Sequence, residues 1–210
     1  MRNLIIVGAG GFGRELIQWI NDINRVNPIW NVIGFLDDTD DPLAGKKCPY
    51  SVIGTIKDWE IKKNQYYAIA IANPKNKETV VNYLEQLGAE FVSIIHPSAK
   101  IADNALLGKG LIVYPDAKIG PDTRIGNYVT LLSSSIGHDA IVGDYTTISS
   151  CCDITGGVKL GKRAFLASHS TIVPKLIIGD DAYVGAGSVV LKNIKPGVKV
   201  FGNPAKIMEF

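Results

Sequence analysis

The residue pair His138-Asp139 is the feature of this sequence best suited to acid–base chemistry. An imidazole can take a proton from an amine or a hydroxyl near neutral pH, and a neighbouring carboxylate can orient the ring and raise its basicity. Adjacent side chains often diverge, however, so a direct bond between His138 and Asp139 is left open. A solvent-exposed turn histidine is an equally weighted alternative, and the residue types alone do not choose between the two.

The other histidines and the cysteines are expected to be structural. His96 precedes Pro97, which favours an extended entry into the next segment, and His169 is expected in a surface turn. The three cysteines are odd in number and unpaired in spacing, which argues against a disulfide framework. One of the adjacent residues Cys151 and Cys152 is expected to pack inward. The spacing of His, Cys and Asp residues predicts no metal site.

Three glycines, in the pattern Gly8-x-Gly10-x-x-Gly13, lie between an apolar run and a helical pattern. Such glycines let the backbone approach a phosphate, and the helix N-terminus supplies N–H donors and a positive dipole. Asp37 closes the second apolar run, where an acidic residue meets a ribose in dinucleotide-binding folds. The segment is too short for the second half of an NAD fold, so a nucleotide or nucleotide-sugar is favoured over a redox cofactor. A tight turn without a ligand is the alternative.

The elements around this glycine loop alternate between strand and helix patterns. The spacing of apolar residues predicts strands at 3–7, 32–36, 67–72 and 91–94, and helices at 14–24 and 75–87. The alternation predicts a small Rossmann-like parallel sheet, an α/β architecture. The inner stripe of the second helix is expected to consist of Val80, Val81, Leu84 and Leu87.

From Ile95 onward an aliphatic residue returns every six positions, which predicts a β-solenoid of just under six three-sided coils. One step, from Leu131 to Ile136, is five residues long and comes just before His138. A shortened repeat can displace a turn and re-aim a side chain, as β-bulges do beside active sites. We therefore expect the chemistry near this break.

The two patterns divide the chain into three predicted segments. They are a Rossmann-like domain at 1–92, an all-β solenoid domain at 95–195, and a C-terminal tail at 196–210 that caps or leaves the stack. The formal net charge is +2 and Lys and Arg are not clustered, so nucleic-acid binding is not expected. No apolar run approaches the ~18–20 residues of a membrane span, and the first residues do not resemble a signal sequence. A cytoplasmic protein without membrane partners is the simplest expectation.

Taken in order, several motifs resemble the sialic acid and aminosugar acetyltransferase family. The motifs are Gly8-Ala9-Gly10-Gly11-Phe12-Gly13, Asp37-Asp38, Ile95-His96-Pro97-Ser98-Ala99, the hexapeptide repeat, and Gly202-Asn203-Pro204-Ala205-Lys206. The resemblance covers essentially the whole chain. It implies a left-handed parallel β-helix, a homotrimer, and acetyl-CoA bound between neighbouring β-helices. The N-terminal domain would hold a nucleotide-linked sugar.

The resemblance also implies roles for single residues. His138 is similar to the family's general base, Asp139 to its acidic partner, and Gly156 to a glycine whose N–H meets the thioester carbonyl. Further positions similar to cofactor-binding ones are Thr147, Ser168, Ala186, Pro204 and Lys206. Positions similar to those of the nucleotide-sugar pocket are Gly10, Gly11, Phe12, Asp37 and Asp38. Thr147 and Phe12 each stand where some relatives have a histidine.

The implied function is acetyl-CoA-dependent N-acetylation of the 4-amino group of a nucleotide-linked aminosugar, in bacterial surface glycan synthesis. His138 would act as the base in a direct transfer without an acyl-enzyme. O-acetylation of a sugar or sialic acid is the alternative within enzymes. Only Arg14 lies close in sequence to Gly11 and Phe12 to meet a sialic acid carboxylate, which favours the aminosugar. A non-catalytic nucleotide-binding scaffold and an NAD-dependent enzyme are more distant alternatives.

Overall fold

The computed structural model describes residues 1–208, which form an N-terminal α/β part followed by a solenoid. The elements of the first part are β1 (Arg2–Val7), α1 (Gly11–Val26), β2 (Trp30–Leu36), β3 (Val52–Gly54), β4 (Gln65–Ile69), α2 (Pro74–Gln86) and β5 (Glu90–Phe91). The strands are parallel and lie in the order β3-β2-β1-β4-β5, as strand–helix alternation predicts. The sequence pattern misses β3, because three residues at a sheet edge give no detectable periodicity.

Side-chain alternation along β1 divides the two faces of this sheet between two hydrophobic clusters. Leu4 and Ile6 pack with α1, whereas Ile5 and Val7 pack with α2. Helices therefore cover both faces, and each cluster continues into the side of the solenoid. Leu87, expected in the inner stripe of α2, is instead 47% exposed, because the helix ends at Gln86 and the chain turns away there.

The solenoid consists of two-residue strands, three to a coil, that stack in parallel on the coil below. Face 1 contains β6 (Ile94–Ile95), β9 (Ile112–Val113), β12 (Thr130–Leu131), β15 (Thr147–Ile148), β18 (Phe165–Leu166) and β21 (Tyr183–Val184). Face 2 contains β7 (Lys100–Ile101), β10 (Lys118–Ile119), β13 (Ser135–Ile136), β16 (Asp153–Ile154), β19 (Thr171–Ile172) and β22 (Val189–Val190). Face 3 contains β8 (Leu106–Leu107), β11 (Arg124–Ile125), β14 (Ile141–Val142), β17 (Lys159–Leu160) and β20 (Ile177–Ile178). Coil 1 consists of β6, β7 and β8, coil 2 of β9, β10 and β11, and the numbering continues upward to coil 6. The turns between faces are called corners, and corners 1–2, 2–3 and 3–1 are named by the faces that they join.

The second residue of each strand points into the solenoid, because successive side chains of a strand alternate in direction. These residues are the aliphatic positions of the repeat, and most of them form one continuous buried column. Burial of each such side chain stabilises the fold by roughly 1.5–3 kcal/mol. The predicted β-solenoid is confirmed.

The five-residue unit shortens corner 1–2 of coil 3, at residues 132–134. The same corner has a left-handed residue one coil below, Asp116 (φ 58°), and one coil above, Cys151 (φ 61°), but none in coil 3. His138 lies at the next corner, where Asp139 keeps the left-handed conformation (φ 58°). The expectation that the short unit re-aims His138 is therefore wrong, because the missing residue is absorbed one strand earlier.

The end of the chain caps the solenoid on face 1. Strand β23 (Lys199–Phe201) pairs in parallel with β21, and β24 (Lys206–Ile207) pairs antiparallel with β23. Most of the predicted tail therefore extends a sheet of the solenoid, and its last residues, 209 and 210, lie outside the described residues. No helix within residues 1–208 is both long and apolar enough to cross a membrane.

Helix α2 runs along corner 3–1 at about one helical turn per coil. Three of its side chains accept hydrogen bonds from residues on successive coils: Glu85 from Tyr128 (2.5 Å), Asn82 from Tyr145 (3.1 Å) and Glu78 from Arg163 (3.2 Å). The two elements stay in step because the helical pitch of ~5.4 Å is close to the strand spacing of ~4.8 Å. The N-terminus of α2 consequently points up the solenoid.

Helix α1 runs in the same direction along corner 1–2. Phe12, near its start, packs against Tyr114 of coil 2 with ring centroids 5.9 Å apart. Trp19, farther along the helix, packs against His96 of coil 1 at 5.7 Å. The N-terminal part thus covers the lower coils of face 1, and both helix N-termini point toward the upper coils.

Candidate active site

His138 projects from corner 2–3 of coil 3, and its side chain is 68% exposed. Its Nδ1 lies 2.7 Å from Oδ2 of Asp139, so the contact that the sequence left open is present. When Nδ1–H donates to this carboxylate, Nε2 is the free nitrogen that can accept a proton. The pair has the arrangement of a general base and the group that orients it.

Gly156 occupies the same position of corner 2–3 one coil above His138. A Cβ atom at Gly156 would lie 2.5 Å from Nε2 of His138, so the imidazole occupies space that a glycine leaves open. The N–H of Gly157 donates to the carbonyl of His138 at 2.8 Å, whereas no acceptor within residues 1–208 bonds the N–H of Gly156. A free proton acceptor and a free N–H donor are therefore neighbours on adjacent coils.

Other residues predicted to bind the cofactor lie on the opposite edge of face 2. Ser168 and Ala186 occupy equivalent positions of corner 1–2 in coils 5 and 6, where the N–H of Gly187 donates to the carbonyl of Ser168 at 2.9 Å. Pro204 and Lys206 belong to the capping segment above them. Within one chain, the structure does not bring these residues together with His138.

Thr147 is placed differently from the other predicted cofactor residues. It lies on face 1 and is 1% exposed. Its hydroxyl donates to the carbonyl of Ala72 at 2.8 Å and accepts from Nζ of Lys77 at 3.0 Å. Because helix α2 covers Thr147 and both of these bonds are made inside the chain, we do not retain it as a cofactor-binding residue.

A cavity of about 460 Å³ opens at the N-terminal end of α1, at the carboxyl ends of β1, β2 and β4. Ligands of parallel α/β sheets bind at this edge. Gly10 is the N-cap of α1 and provides no side-chain cap, which leaves N–H groups for an anion. The lining residues are Gly8, Gly10, Asp37, Asp38, Thr39, Ile56, Ala70, Ile71, Asn76, Thr79 and Val80.

The glycines of this loop are required by close packing. A Cβ at Gly8, whose φ is 108°, would lie 2.7 Å from the carbonyl oxygen of Ala70. A Cβ at Gly13 would lie 2.0 Å from the carbonyl oxygen of Gly8. Both contacts are too short for any side chain, so glycine lets the strand and the helix approach closely enough to form the cavity.

Asp37 and Asp38 line the cavity and also hold its loops. Oδ2 of Asp37 accepts from the N–H of Ala9 at 2.7 Å, which fastens the glycine loop to the end of β2. Oδ1 of Asp38 accepts from the N–H of Ile56 at 2.7 Å. A neighbouring cavity of about 600 Å³ shares Asp37 and Thr39 and leads along β3. The acidic pair thus lines the cavity, and part of its hydrogen-bonding capacity is already used by backbone N–H groups of the protein.

Two predicted pocket residues lie outside the lining of either cavity. Gly11 is exposed at the start of α1. Phe12 turns its ring toward Tyr114 and the cluster between α1 and the solenoid. In this chain Phe12 contributes to packing between the two parts rather than to the cavity wall.

The sequence interpretation missed Lys77, a buried lysine whose amino group bonds to the solenoid. A lysine three and four residues before Val80 and Val81 falls on the apolar stripe of α2, and this was the available signal. Within residues 1–208 no three His, Cys, Asp or Glu residues are grouped so that they could hold a metal ion. Of the two adjacent cysteines, Cys152 is buried and Cys151 exposed, so one packs inward as expected, although both lie in the turn at corner 1–2 rather than in a strand.

Comparison with protein-family models gives two matches. Residues 3–84 match the PglD N-terminal domain, and residues 98–133 match the bacterial transferase hexapeptide model, which comprises six repeats. The first match coincides with the α/β part that contains the cavity, and the second extends from coil 1 to the first strand of coil 3.

Individual relatives match nearly the whole chain. GDP-perosamine N-acetyltransferase of Escherichia coli O157:H7 is 35% identical over 97% of this chain and 95% of its own length. Among solved structures, PerB from Caulobacter crescentus in complex with CoA and GDP-perosamine is 26% identical, with a TM-score of 0.86 over 99% of this chain and 97% of that one. WeeI from Acinetobacter baumannii AYE is 27% identical, with a TM-score of 0.86 over 99% of this chain and 100% of that one.

Proposed function

The chain belongs to the NeuD/PglD-like family of sialic acid and aminosugar acetyltransferases, and we propose that it acetylates the 4-amino group of a nucleotide-linked aminosugar. The enzyme is an acetyltransferase, and acetyl-CoA is its acyl donor. The relatives that act on or bind GDP-perosamine support a GDP-linked aminosugar as the acceptor. The observation that carries the proposed mechanism is that Nε2 of His138 lies beside the N–H of Gly156, and neither has a hydrogen-bond partner within residues 1–208.

His138 supplies the proton transfer in this proposal. As the sugar nitrogen attacks the thioester carbonyl, a C–N bond forms, and Nε2 takes the proton that the nitrogen loses. The C–S bond then breaks, and the imidazolium can return this proton to the departing thiolate. Asp139 holds the ring and stabilises its charged form.

Gly156 supplies the second functional group of the proposed mechanism, a backbone N–H. The carbonyl oxygen of a thioester becomes negatively charged as the amine attacks, and an N–H fixed by the coil below stabilises that charge. Its neighbour Gly157 is bonded to His138, so the donor and the base keep a constant separation. No rearrangement of the chain is needed at the moment of reaction.

The transfer is direct in this proposal, since the base and the N–H donor suffice for it and no acyl-enzyme is required. Burial raises the pKa of the Cys152 thiol, which disfavours the nucleophilic thiolate.

Two copies of the chain are needed to assemble the site. The N-terminal part contacts face 1 and its two corners, whereas His138 projects from the corner between faces 2 and 3. A sugar held in the cavity of one chain would therefore meet His138 of another. A homotrimer supplies such a contact at each of its three symmetric interfaces. At each interface, Ser168 and Ala186 of one chain would contact acetyl-CoA, and His138 of the next chain would act on the sugar that this acetyl-CoA acetylates.

A turnover assay tests this function. The enzyme is incubated with acetyl-CoA and a panel of GDP-, UDP- and dTDP-linked 4-amino sugars, and the products are identified by mass spectrometry. We expect N-acetylation of the GDP-linked sugar, with a kcat at least about 10²-fold lower in His138→Asn, because the general base is lost. Binding of acetyl-CoA to the variant, measured by calorimetry, serves as the control for folding.

Two results would contradict the proposal. Undiminished turnover in His138→Asn would remove the base assignment. Transfer to a sugar hydroxyl, with no transfer to any amino sugar, would replace N-acetylation by O-acetylation at the same site.

A further inference from the structure

Lys77 ties helix α2 to two coils of the solenoid. Its side chain is completely buried, and Nζ lies 3.0 Å from Oγ1 of Thr130, 3.0 Å from Oγ1 of Thr147 and 3.3 Å from the carbonyl oxygen of Thr146. An ammonium group has three N–H donors, so these acceptors can satisfy all of them. One side chain thus fixes the helix relative to both coils.

Docking alone does not explain a lysine at this position. Each of the three partners is an uncharged oxygen, so no carboxylate among residues 1–208 bonds to the ammonium form of this side chain. An apolar side chain of similar length would be buried at lower cost. The ammonium group instead makes directional contacts. Three hydrogen bonds fix the position of α2 along the solenoid and its rotation about its own axis more narrowly than apolar contacts would.

The residues that Lys77 holds form one wall of the nucleotide cavity. Asn76 and Thr79, on the same turn of α2, line the cavity. The hydroxyl of Thr147, which accepts from Lys77, donates in turn to the carbonyl of Ala72. Ala72 belongs to the segment between β4 and α2 that also contributes Ala70 and Ile71 to the lining. Lys77 and Thr147 therefore anchor segment 70–80 to the solenoid, and the wall consists of its cavity-lining residues Ala70, Ile71, Asn76, Thr79 and Val80.

The two anchoring coils are also those of the catalytic corner. Thr130 and His138 belong to coil 3, and Thr147 and Gly156 belong to coil 4. In a cyclic trimer whose axis follows the solenoids, equal coils of different chains lie at equal height. A wall fixed to coils 3 and 4 of one chain is therefore level with the base and the N–H donor of the next.

We propose that Lys77 is a positioning residue, which aligns the acceptor pocket with the two coils that carry the reacting groups. The identity of the acceptor rests on the proposed function, whereas the anchoring of residues 70–80 does not. Loss of the ammonium should misplace the sugar nitrogen without disturbing the acetyl-CoA site.

Lys77→Met tests the proposal, because methionine keeps an unbranched apolar side chain and removes all three donors. We expect kcat/KM for the nucleotide sugar to fall by about tenfold or more, since misplacing a reacting group is costly. The KM for acetyl-CoA should stay within about twofold, and the melting temperature at pH 7 should not fall, because a buried charge is removed. Lys75→Met is the matched control, since Lys75 lies on the same helix with a side chain that is 73% exposed, and it should behave as wild type.

Hydrogen exchange of the backbone amides provides a readout that needs no substrate. Residues 70–80 should exchange faster in Lys77→Met, while α1 exchanges as in wild type. Wild-type kcat/KM or unchanged exchange of residues 70–80 would overturn the proposal. So would a loss of activity that follows a loss of stability and of acetyl-CoA binding, which would indicate a purely structural role. If the wild-type enzyme acetylates no nucleotide sugar, the proposed function fails, and the exchange data still decide the role of Lys77.

Discussion

The imidazole of His138 is exposed, and the contact between its Nδ1 and Asp139 is what fixes its orientation. Without this carboxylate the ring could rotate, and the tautomer that leaves Nε2 free would lose its stabilisation. We expect Asp139→Asn to lower kcat roughly tenfold to a hundredfold, with a smaller effect on the KM values, because proton transfer is affected more than binding. Steady-state kinetics with the acceptor sugar would measure this.

Asp122→Asn is the matched control for this variant. Asp122 occupies the same position of corner 2–3 one coil lower, with φ of 57° against 58° for Asp139. It bonds to Asn104 rather than to a histidine, and asparagine tolerates the left-handed conformation as well as aspartate does. Equal rates in the two variants would show that Asp139 has no role in proton transfer.

At the level of single residues, the sequence brought candidates together only where they are adjacent. His138 and Asp139 are neighbours in the sequence, but the sequence leaves open whether their side chains bond, because the direction of each depends on the corner conformation. Gly156 required a resemblance, because its position above His138 is set by the length of a coil. Thr147 was misassigned as a cofactor residue because nothing in its own segment indicates that α2 covers it.

At the level of elements, the junction of α2 and the solenoid should make stability depend on pH. Burial lowers the pKa of Lys77 from 10.5 to about 7. Between these values the unfolded chain binds one proton more than the folded chain, so the free energy of unfolding should rise with pH, by up to ~1.4 kcal/mol per unit. Below pH 7 the side chain is charged in both states, and its burial is a constant cost.

Chemical denaturation at pH 7, 8 and 9 measures this dependence. Wild type should gain stability relative to Lys77→Met across the series, because the variant lacks the titrating group. A constant difference between the two proteins would contradict the assigned pKa shift.

The repeat illustrates how far elements could be predicted from sequence. A six-residue period places the inward side chain of each strand, because every coil presents the same geometry to the next. The consequence of the five-residue unit was misread, although the spacing already places the missing residue between Leu131 and Ile136, one corner before His138. Backbone geometry agrees, because the left-handed residue is absent from corner 1–2 of coil 3.

At the level of the whole molecule, the arrangement of the two parts separates the proposed binding cavity from the proposed base. The cavity at α1 opens beside face 1, whereas His138 lies at the corner between faces 2 and 3. Sequence motifs predict both places, but their separation in one chain follows from how α1 and α2 dock on face 1. This docking is what makes a second copy of the chain necessary for the proposed reaction.

Mixed assemblies of the proposed homotrimer test this central claim most directly. Two variant chains are mixed. The first carries His138→Asn, and the second carries Thr79→Trp, whose large side chain blocks the cavity that Thr79 lines. A trimer made of either variant alone should be inactive. Co-expression with two affinity tags isolates trimers that contain both chains, and their turnover of the nucleotide sugar with acetyl-CoA is measured. If the site forms between chains, each mixed trimer has one intact site and should reach about one third of wild-type turnover. Mixed trimers as inactive as the parent variants would contradict the account, because the cavity and His138 would then act within a single chain.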